Sequence, residues 1–154
     1  MSIVLEPVGI VRSPRQAIGD EEWGSVISVI ELHANCFTPE AIAGLEDFSH
    51  LEVIYHFHEV PEARIETGAR HPRNREDWPL VGIFAQRGKN RPNRLGLARC
   101  NLLKIDGLRL TVQRLDAIEG TPVLDIKPYM AEFGPIGELR QPDWAAELMS
   151  RYYA

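Results

Sequence analysis

A ten-residue stretch near the end of the chain, Gly120–Tyr129, combines several side chains that could do chemistry on one strand. Its apolar run lies between two prolines and carries Asp125 inside it, and Lys127 and Tyr129 follow closely. A buried charge costs roughly several kcal/mol unless it is paired or faces a ligand. The pattern therefore leaves two interpretations: a site at a sheet edge or barrel rim, or a surface strand with one salt bridge.

A second stretch, Phe84–Gly96, holds four cationic residues within eight positions, together with Asn, Gly and Pro. Arginine side chains bind phosphate or carboxylate groups bidentately, and Asn93 could read an amide or a base edge. The chain has no Walker A motif and no GxGxxG pattern after a strand, so the common nucleotide-binding folds are not indicated. The alternative interpretation is a basic surface loop.

The charges of the chain are unevenly distributed. Residues 62–104 contain ten basic and four acidic residues, a net charge of +6, whereas the other seven basic and eighteen acidic residues give −11. An acidic protein with one basic middle segment indicates a local anion-binding surface rather than general coating of nucleic acid. The alternative is an arginine-rich loop that pairs with acids elsewhere in the chain.

Four histidines raise the question of a metal site. His56 and His58 are two residues apart, so both would project from one face of a strand, and His50 and His71 could join them. No known carboxylate–histidine motif accompanies them. Core or cleft-lining histidines are the favoured interpretation, and no metal is predicted. The two cysteines form no CxxC motif, which fits a reducing compartment.

Short β-strands dominate the elements that must position these residues. A strong hairpin signal, Asp106-Gly107, separates two of the apolar runs. Seven short strands separated by turns predict a mainly β fold, either a sandwich or a small closed or partly closed barrel. The seven predicted strands are Val8–Arg12, Val26–Leu32, Leu51–Val60, Leu80–Ala85, Leu97–Lys104, Leu108–Leu115 and Val123–Ile126.

Few helices are expected beside these strands. Thr38 followed by Pro39 predicts the start of one helix that continues through Leu45, and Pro142–Tyr152 predicts a second. A chain of 154 residues with 44% hydrophobic and 25% charged residues fits one domain, residues 1–154. The absence of an 18-residue apolar run and of a basic leader predicts a cytoplasmic protein without a membrane segment.

Several longer strings make the chain resemble the YaeB/TrmO-like family, typified by an S-adenosylmethionine-dependent enzyme that methylates N6-threonylcarbamoyladenosine in tRNA. The matching strings are spread over most of the chain, and several are specific sequences rather than loose spacings. They are Val8–Pro14, Gly44–Leu51, His71–Arg73, Val81–Arg87, Arg91–Asn93, Leu95–Leu97 and the stretch Gly120–Tyr129.

The resemblance implies a single-sheeted β-barrel, a homodimer and a methyl donor bound near the subunit interface. It implies methyl transfer from S-adenosylmethionine to a modified adenosine of the tRNA anticodon loop, for which the protein supplies alignment and electrostatics. Asp125 and Tyr129 are the predicted catalytic residues. The predicted cofactor-binding residues are Phe84, Ala85, Arg87, Asn93, Leu95, Gly96, Asp125 and Lys127. The predicted tRNA-binding residues are Arg12, His71, Arg73 and Arg91.

Some positions depart from the family pattern. Gly88-Lys89-Asn90 stands where Ser-Pro or Ser-Thr is usual, Arg94 precedes Leu95-Gly96 where Pro-Ile-Gly is common, Ala98 replaces Ser and Glu119 replaces Asp. The family member with known tRNA activity carries a further C-terminal domain, whereas this chain ends soon after the expected barrel. Two alternatives stay open: a methyltransferase of the same fold with another RNA or small-molecule substrate, and a non-catalytic ligand- or metal-binding module.

Overall fold

Six antiparallel strands close into a barrel in the computed structural model, which describes residues 1–154. The order around the barrel is β1-β2-β7-β6-β3-β8, and β8 closes it by pairing with β1. The remaining two strands, β4 and β5, form a small separate hairpin. The eight strands are β1 (Gly9–Arg12), β2 (Ile27–Leu32), β3 (His50–His56), β4 (Ala69–Arg70), β5 (Val81–Gly82), β6 (Leu95–Asp106), β7 (Arg109–Gln113) and β8 (Pro122–Pro128).

The interior of the barrel is filled by alternate side chains of its strands. Leu51, Val53 and Tyr55 of β3 are buried, and so are Leu110 and Val112 of β7. Because successive residues of a strand point to opposite faces, this two-residue period places one face in the core and the other outside. The prediction of a mainly β barrel with few short helices is confirmed.

The hairpin between β6 and β7 was the clearest turn in the sequence, and the structure confirms it. Asp106 pairs with Arg109, and Gly107 has a positive φ of 60° in the connection. Glycine adopts this left-handed conformation without the steric cost of a Cβ atom. The strand β6 is longer than predicted at both ends, because Leu95 and Gly96 pair with β3 and because Ile105 and Asp106 pair with β7 up to the turn.

Two predicted elements are wrong. Leu80–Ala85 is not a continuous buried strand: only Val81–Gly82 pairs, a 3₁₀ helix follows at Ile83–Ala85, and Phe84 is exposed. An apolar run without alternation carries no period that distinguishes a strand from a short helix. The helix expected from Thr38 to Leu45 is instead two 3₁₀ turns, because Gly44 takes a left-handed conformation between them.

The C-terminal segment folds back against the loop before β2. Its helix α1 spans Asp143–Met149, a shorter helix than the one predicted over Pro142–Tyr152. The backbone N–H of Trp23 donates to the carbonyl of Tyr152 at 2.8 Å, and that of Glu22 donates to Arg151 at 3.0 Å. These bonds fix the end of the chain beside the barrel. None of the helices combines the length and the apolar character that a membrane-spanning helix requires.

Candidate functional site

One large cavity, of about 1230 Å³, opens where the barrel meets three outer segments. Pockets that hold small-molecule ligands usually measure about 300–1,000 Å³, so this space is large enough for a ligand of nucleoside size. Its walls come from the start of β6, from the arginine-rich loop before it, from the loop after β7 and from the C-terminal segment. The segments lining it include residues 18–23, 83–92, 95–99, 116–118 and 142–153.

Seven of the predicted site residues line this cavity. They come from segments that are far apart in sequence, and they include aromatic, apolar and cationic side chains: Arg73, Phe84, Ala85, Arg87, Arg91, Leu95 and Gly96. Gly96 lies directly against a barrel residue, since a Cβ atom at this position would be 2.4 Å from the ring of Tyr55. A glycine is therefore required where the cavity floor meets the core.

Backbone carbonyl groups hold the arginines of the loop before β6 in place. Arg91 donates from Nη1 to the carbonyl of Gln86 at 2.7 Å, and Arg87 donates from Nη2 to that of Leu97 at 2.7 Å. Neither guanidinium has a carboxylate within salt-bridge distance, so neither positive charge is neutralised by the protein. Two fixed, unpaired guanidinium groups on a cavity wall form a binding surface for an anion.

Two loop segments hold their backbone in an unusual conformation. Arg73 and Asn74 both have positive φ, of 52° and 58°, and Asn93 and Arg94 do so again at 63° and 50°. Such residues cost about 1–3 kcal/mol each and are concentrated at functional sites. Both pairs follow a proline in the strings His71–Arg73 and Arg91–Asn93, so the strain lies in the segments that the sequence singled out.

Three further predicted residues, Asn93, His71 and Arg12, do not line the cavity. Asn93 occupies the strained turn just described. His71 is bonded through Nδ1 to the carbonyl of Trp78 at 2.7 Å, which ties the strand β4 to the following loop. Arg12 lies on the barrel exterior, where it forms ion pairs with Glu31 at 2.7 Å and Glu119 at 2.9 Å.

Asp125, Lys127 and Tyr129 do not line this cavity. Asp125 and Lys127 form a salt bridge of 2.9 Å on the outside of β8, and both side chains are substantially exposed. Asp125 borders a smaller apolar groove beneath the 3₁₀ turns that follow β2. The ring of Tyr129 is stacked under the guanidinium of Arg99 at 4.2 Å, and Arg99 reaches the large cavity. Within one chain, these residues are not brought together with the arginine-rich loop.

A cluster of one acid and two tyrosines in the cavity was not predicted. The hydroxyl of Tyr55 donates to Asp116 Oδ1 at 2.9 Å, and the hydroxyl of Tyr152 donates to Oδ2. Burial and then the charge of Asp116 raise the pKa of both phenols, so both stay protonated donors. No local signal indicated this cluster, because 61 residues separate Asp116 from Tyr55 and 36 separate it from Tyr152.

The histidines show no arrangement for a metal ion. No group of three or more His, Cys, Asp or Glu side chains is placed to hold one. His58 lines the cavity. Burial, followed by the charges of Arg94 and His58, lowers the pKa of His56. Lower pKa values make a neutral imidazole more abundant at neutral pH.

Comparison with known proteins places this geometry in a family. The sequence model described as the tRNA-methyltransferase O N-terminal domain matches residues 10–134. A tRNA (adenine(37)-N6)-methyltransferase of Mus musculus is 34% identical over 86% of this chain and 32% of its own length. A probable S-adenosyl-L-methionine-binding protein of Methanothermobacter thermautotrophicus is 36% identical over 89% of this chain and 97% of its own.

A solved structure agrees with the sequence matches. The crystal structure of TrmO from Pseudomonas aeruginosa superposes with a TM-score of 0.74 at 27% identity, over 92% of this chain and 61% of that one. The chain thus spans about a third of the mouse relative and less than two thirds of the crystallised protein. The match over residues 10–134 includes the barrel strands β2 to β8 and the arginine-rich loop. The chain belongs to the family of the tRNA-methyltransferase O N-terminal domain.

Proposed function

We propose that this chain is an S-adenosylmethionine-dependent methyltransferase that modifies an adenosine in tRNA, and that the large cavity is its reaction site. The observation that carries the proposal is the composition of the cavity wall. Most of its lining residues belong to the family-matched part of the chain, and two unpaired arginines lie there beside apolar and aromatic side chains. Relatives named as tRNA methyltransferases support the proposed reaction, and relatives named as S-adenosylmethionine-binding proteins support the proposed cofactor.

The residues present fit this methyl donor. The unpaired guanidinium groups of Arg87 and Arg91 suit its carboxylate, while the apolar and aromatic lining around Leu95 and Phe84 suits its adenosine part. S-adenosylmethionine supplies the reactive methyl group on a sulfonium. The chain contributes binding, exclusion of water and an in-line approach of the accepting nitrogen, which are the main requirements of such a transfer.

The basic surface around the cavity mouth fits the phosphates of a tRNA. Arg70, Arg73 and Lys89 line the opening together with Arg87 and Arg91. Neutralisation of phosphates by such residues makes affinity fall steeply with salt concentration. In this proposal Arg73 and Arg91 contact the RNA near the accepting base. The parts assigned to His71 and Arg12, which lie farther out, remain predictions.

The proposal for Asp125, Lys127 and Tyr129 involves a second copy of the chain. None of these three residues lines the cavity of its own chain, so in this proposal a partner protomer brings them to it. An exposed apolar arm follows them directly: Phe133, Ile136 and Leu139 are all largely exposed. Contiguous exposed apolar residues commonly mark an interface, and a two-fold symmetric dimer is the usual assembly of a small enzyme. We therefore propose that the reaction site lies at a homodimer interface. The cytoplasmic location stays a prediction from the sequence.

The finer proposal is N6-methylation of threonylcarbamoyladenosine in the anticodon loop. The purified chain, incubated with methyl-labelled S-adenosylmethionine and total tRNA from a strain lacking the methyl group, should transfer label to that nucleoside. tRNA that also lacks the threonylcarbamoyl group should accept none.

The alternatives give different results in the same assay. Binding of the cofactor without labelling of either tRNA would support a methyltransferase with another RNA or a small-molecule substrate. Labelling of both tRNAs would show that the chain is a tRNA methyltransferase that does not require the threonylcarbamoyl group. Absence of cofactor binding would reject the proposal altogether.

A further inference from the structure

The acidic residues that line the large cavity differ in how their charge is compensated. Asp20 lies 3.9 Å from Lys89, and Glu52 lies 3.3 Å from Arg99. Glu59 is exposed to water. Asp116 is half-buried and has no basic side chain within 4 Å. It is therefore the one cavity-lining acid that has neither a cationic partner nor full access to water.

Two tyrosines fix the orientation of the Asp116 carboxylate. Tyr55 donates to one oxygen at 2.9 Å and Tyr152 donates to the other, and the hydroxyl of Tyr55 also lies 3.1 Å from the Asp116 carbonyl. Phenol donors are neutral, so they hold the carboxylate in place without cancelling its charge. A partly desolvated, unpaired carboxylate costs free energy that a cationic ligand would recover.

The charges around the cavity suit a ligand that carries both a positive and a negative charge. Arg87 and Arg91 present unpaired positive charge on the loop before β6, and Asp116, on the loop after β7, presents unpaired negative charge to the same cavity. The methyl donor of the proposed function has a carboxylate at one end and a sulfonium near its centre.

We propose that Asp116 pairs with the sulfonium of S-adenosylmethionine, and that Tyr55 and Tyr152 are positioning residues that aim it. This inference rests on the proposed function, because it assumes that the cavity binds this cofactor. Tyr152 lies beyond residues 10–134, so the C-terminal segment supplies one of the two anchors from outside the family-matched region. That segment is therefore part of the cofactor site and not only a cover for the barrel.

The test compares two ligands that differ at the sulfur. S-adenosylmethionine carries a sulfonium, whereas S-adenosylhomocysteine has a neutral thioether and retains the amino and carboxylate groups. The Asp116→Asn variant keeps the shape of the side chain and removes its charge. We expect calorimetric titration to show S-adenosylmethionine bound about 10- to 100-fold more weakly by Asp116→Asn, with S-adenosylhomocysteine affinity changed by less than about twofold.

The control removes the same charge where no ligand binds. Asp106→Asn alters an exposed acid at the β6–β7 hairpin, and asparagine before glycine is equally suited to this turn. It should leave both affinities unchanged. If the amide of Asp116→Asn disturbs the fold, seen as a lost thermal transition, Asp116→Ser repeats the test with a smaller neutral side chain.

Other outcomes overturn the inference. An equal loss of affinity for both ligands would show that Asp116 acts only on cavity structure or on the ligand's amino group. Unchanged affinity for both would show that it does not face the ligand. If the wild-type chain binds neither ligand, the proposed function itself fails, which is distinguishable because it appears before any variant is made.

Discussion

Two regions of this chain stand out in the sequence for their charged residues. In the structure, the charges of one region are paired with each other and those of the other are not. On the outer face of β8, Asp125 and Lys127 neutralise each other through a salt bridge of 2.9 Å. On the loop before β6, Arg87 and Arg91 are held by backbone carbonyls at 2.7 Å and keep their charge unpaired. A charge that the protein leaves unpaired in a cavity is available to a ligand, whereas a surface salt bridge contributes little to the stability of the fold.

The largest expected effect comes from the arginine-rich loop. Arg91→Ala removes both the unpaired charge and the bonds that Arg91 makes to the carbonyls of Gln86 and Gly88. We expect kcat/KM for methyl transfer to fall about 100-fold, equivalent to about 2.7 kcal/mol, without a change in melting temperature above a few degrees. Steady-state kinetics with tRNA and a thermal scan measure both quantities.

A matched control removes an arginine whose charge is already paired. Arg109 on β7 pairs with Glu31 on the barrel exterior, away from the cavity. Arg109→Ala should leave kcat/KM within about twofold of wild type, as expected for an exposed surface ion pair. Equal losses in Arg91→Ala and Arg109→Ala would remove the contrast between paired and unpaired charges.

Mixing two inactive variants tests whether the two regions meet across a dimer. Arg87→Ala and Asp125→Ala are each expected to lose most activity alone. If one protomer supplies the arginine and its partner the acid, random mixing yields heterodimers with one intact site, and about one quarter of wild-type activity returns. The measurement is methyl transfer after co-refolding the two variants in equal amounts.

The same mixture distinguishes a site shared between two protomers from a site confined to one chain. Every site in the heterodimer would then contain one of the two substitutions, so activity would stay at the level of the separate variants. Full activity of Asp125→Ala alone would remove Asp125 from the site, leaving the β8 face with its salt bridge as a surface feature.

The smallest effect is expected on the barrel exterior, where the charges are paired. Hydrogen bonds from Arg12, and then from the backbone N–H of Ser13, lower the pKa of Glu119 below its usual value of 4.5. A lowered folded-state pKa contributes stability that is fully present above the unfolded value and is lost as pH falls through the folded value. Glu119→Gln should lower the melting temperature by about 2 °C at pH 7.

The pH dependence provides the check for Glu119. As the pH falls through the lowered pKa, the wild-type carboxylate becomes protonated, so the difference between wild type and Glu119→Gln should shrink. A difference that grows on acidification would contradict the assigned direction of the pKa shift. Cofactor affinity should not change, because Glu119 does not line the cavity.

The barrel was predictable because its signals are local. The alternation in β7 and the Asp106-Gly107 turn each depend on a few adjacent residues, and both are found in the structure. The strings around Arg87 and Arg91 pointed to the cavity wall for a similar reason. The run Leu80–Ala85 was wrongly predicted to be a strand, because an apolar segment without a period is compatible with either a strand or a short helix.

The cavity floor could not be predicted in the same way. In the sequence, Asp116 has no feature that separates it from other loop residues. Its role is visible only in the structure, where Tyr55 of the barrel and Tyr152 of the C-terminal segment each bond to one of its carboxylate oxygens. Long-range convergence of this kind leaves no spacing pattern. Conversely, the charges of Gly120–Tyr129 are obvious in sequence, but only the fold shows that Asp125 pairs with Lys127.

If the cavity walled by Arg87 and Arg91 binds S-adenosylmethionine, calorimetric titration of the wild-type chain will detect it without any assay of methyl transfer. We expect saturable binding at sub-millimolar concentration, abolished or strongly weakened in Arg87→Ala and retained in Arg109→Ala. Absence of binding heat from the folded wild-type protein at those concentrations would contradict it.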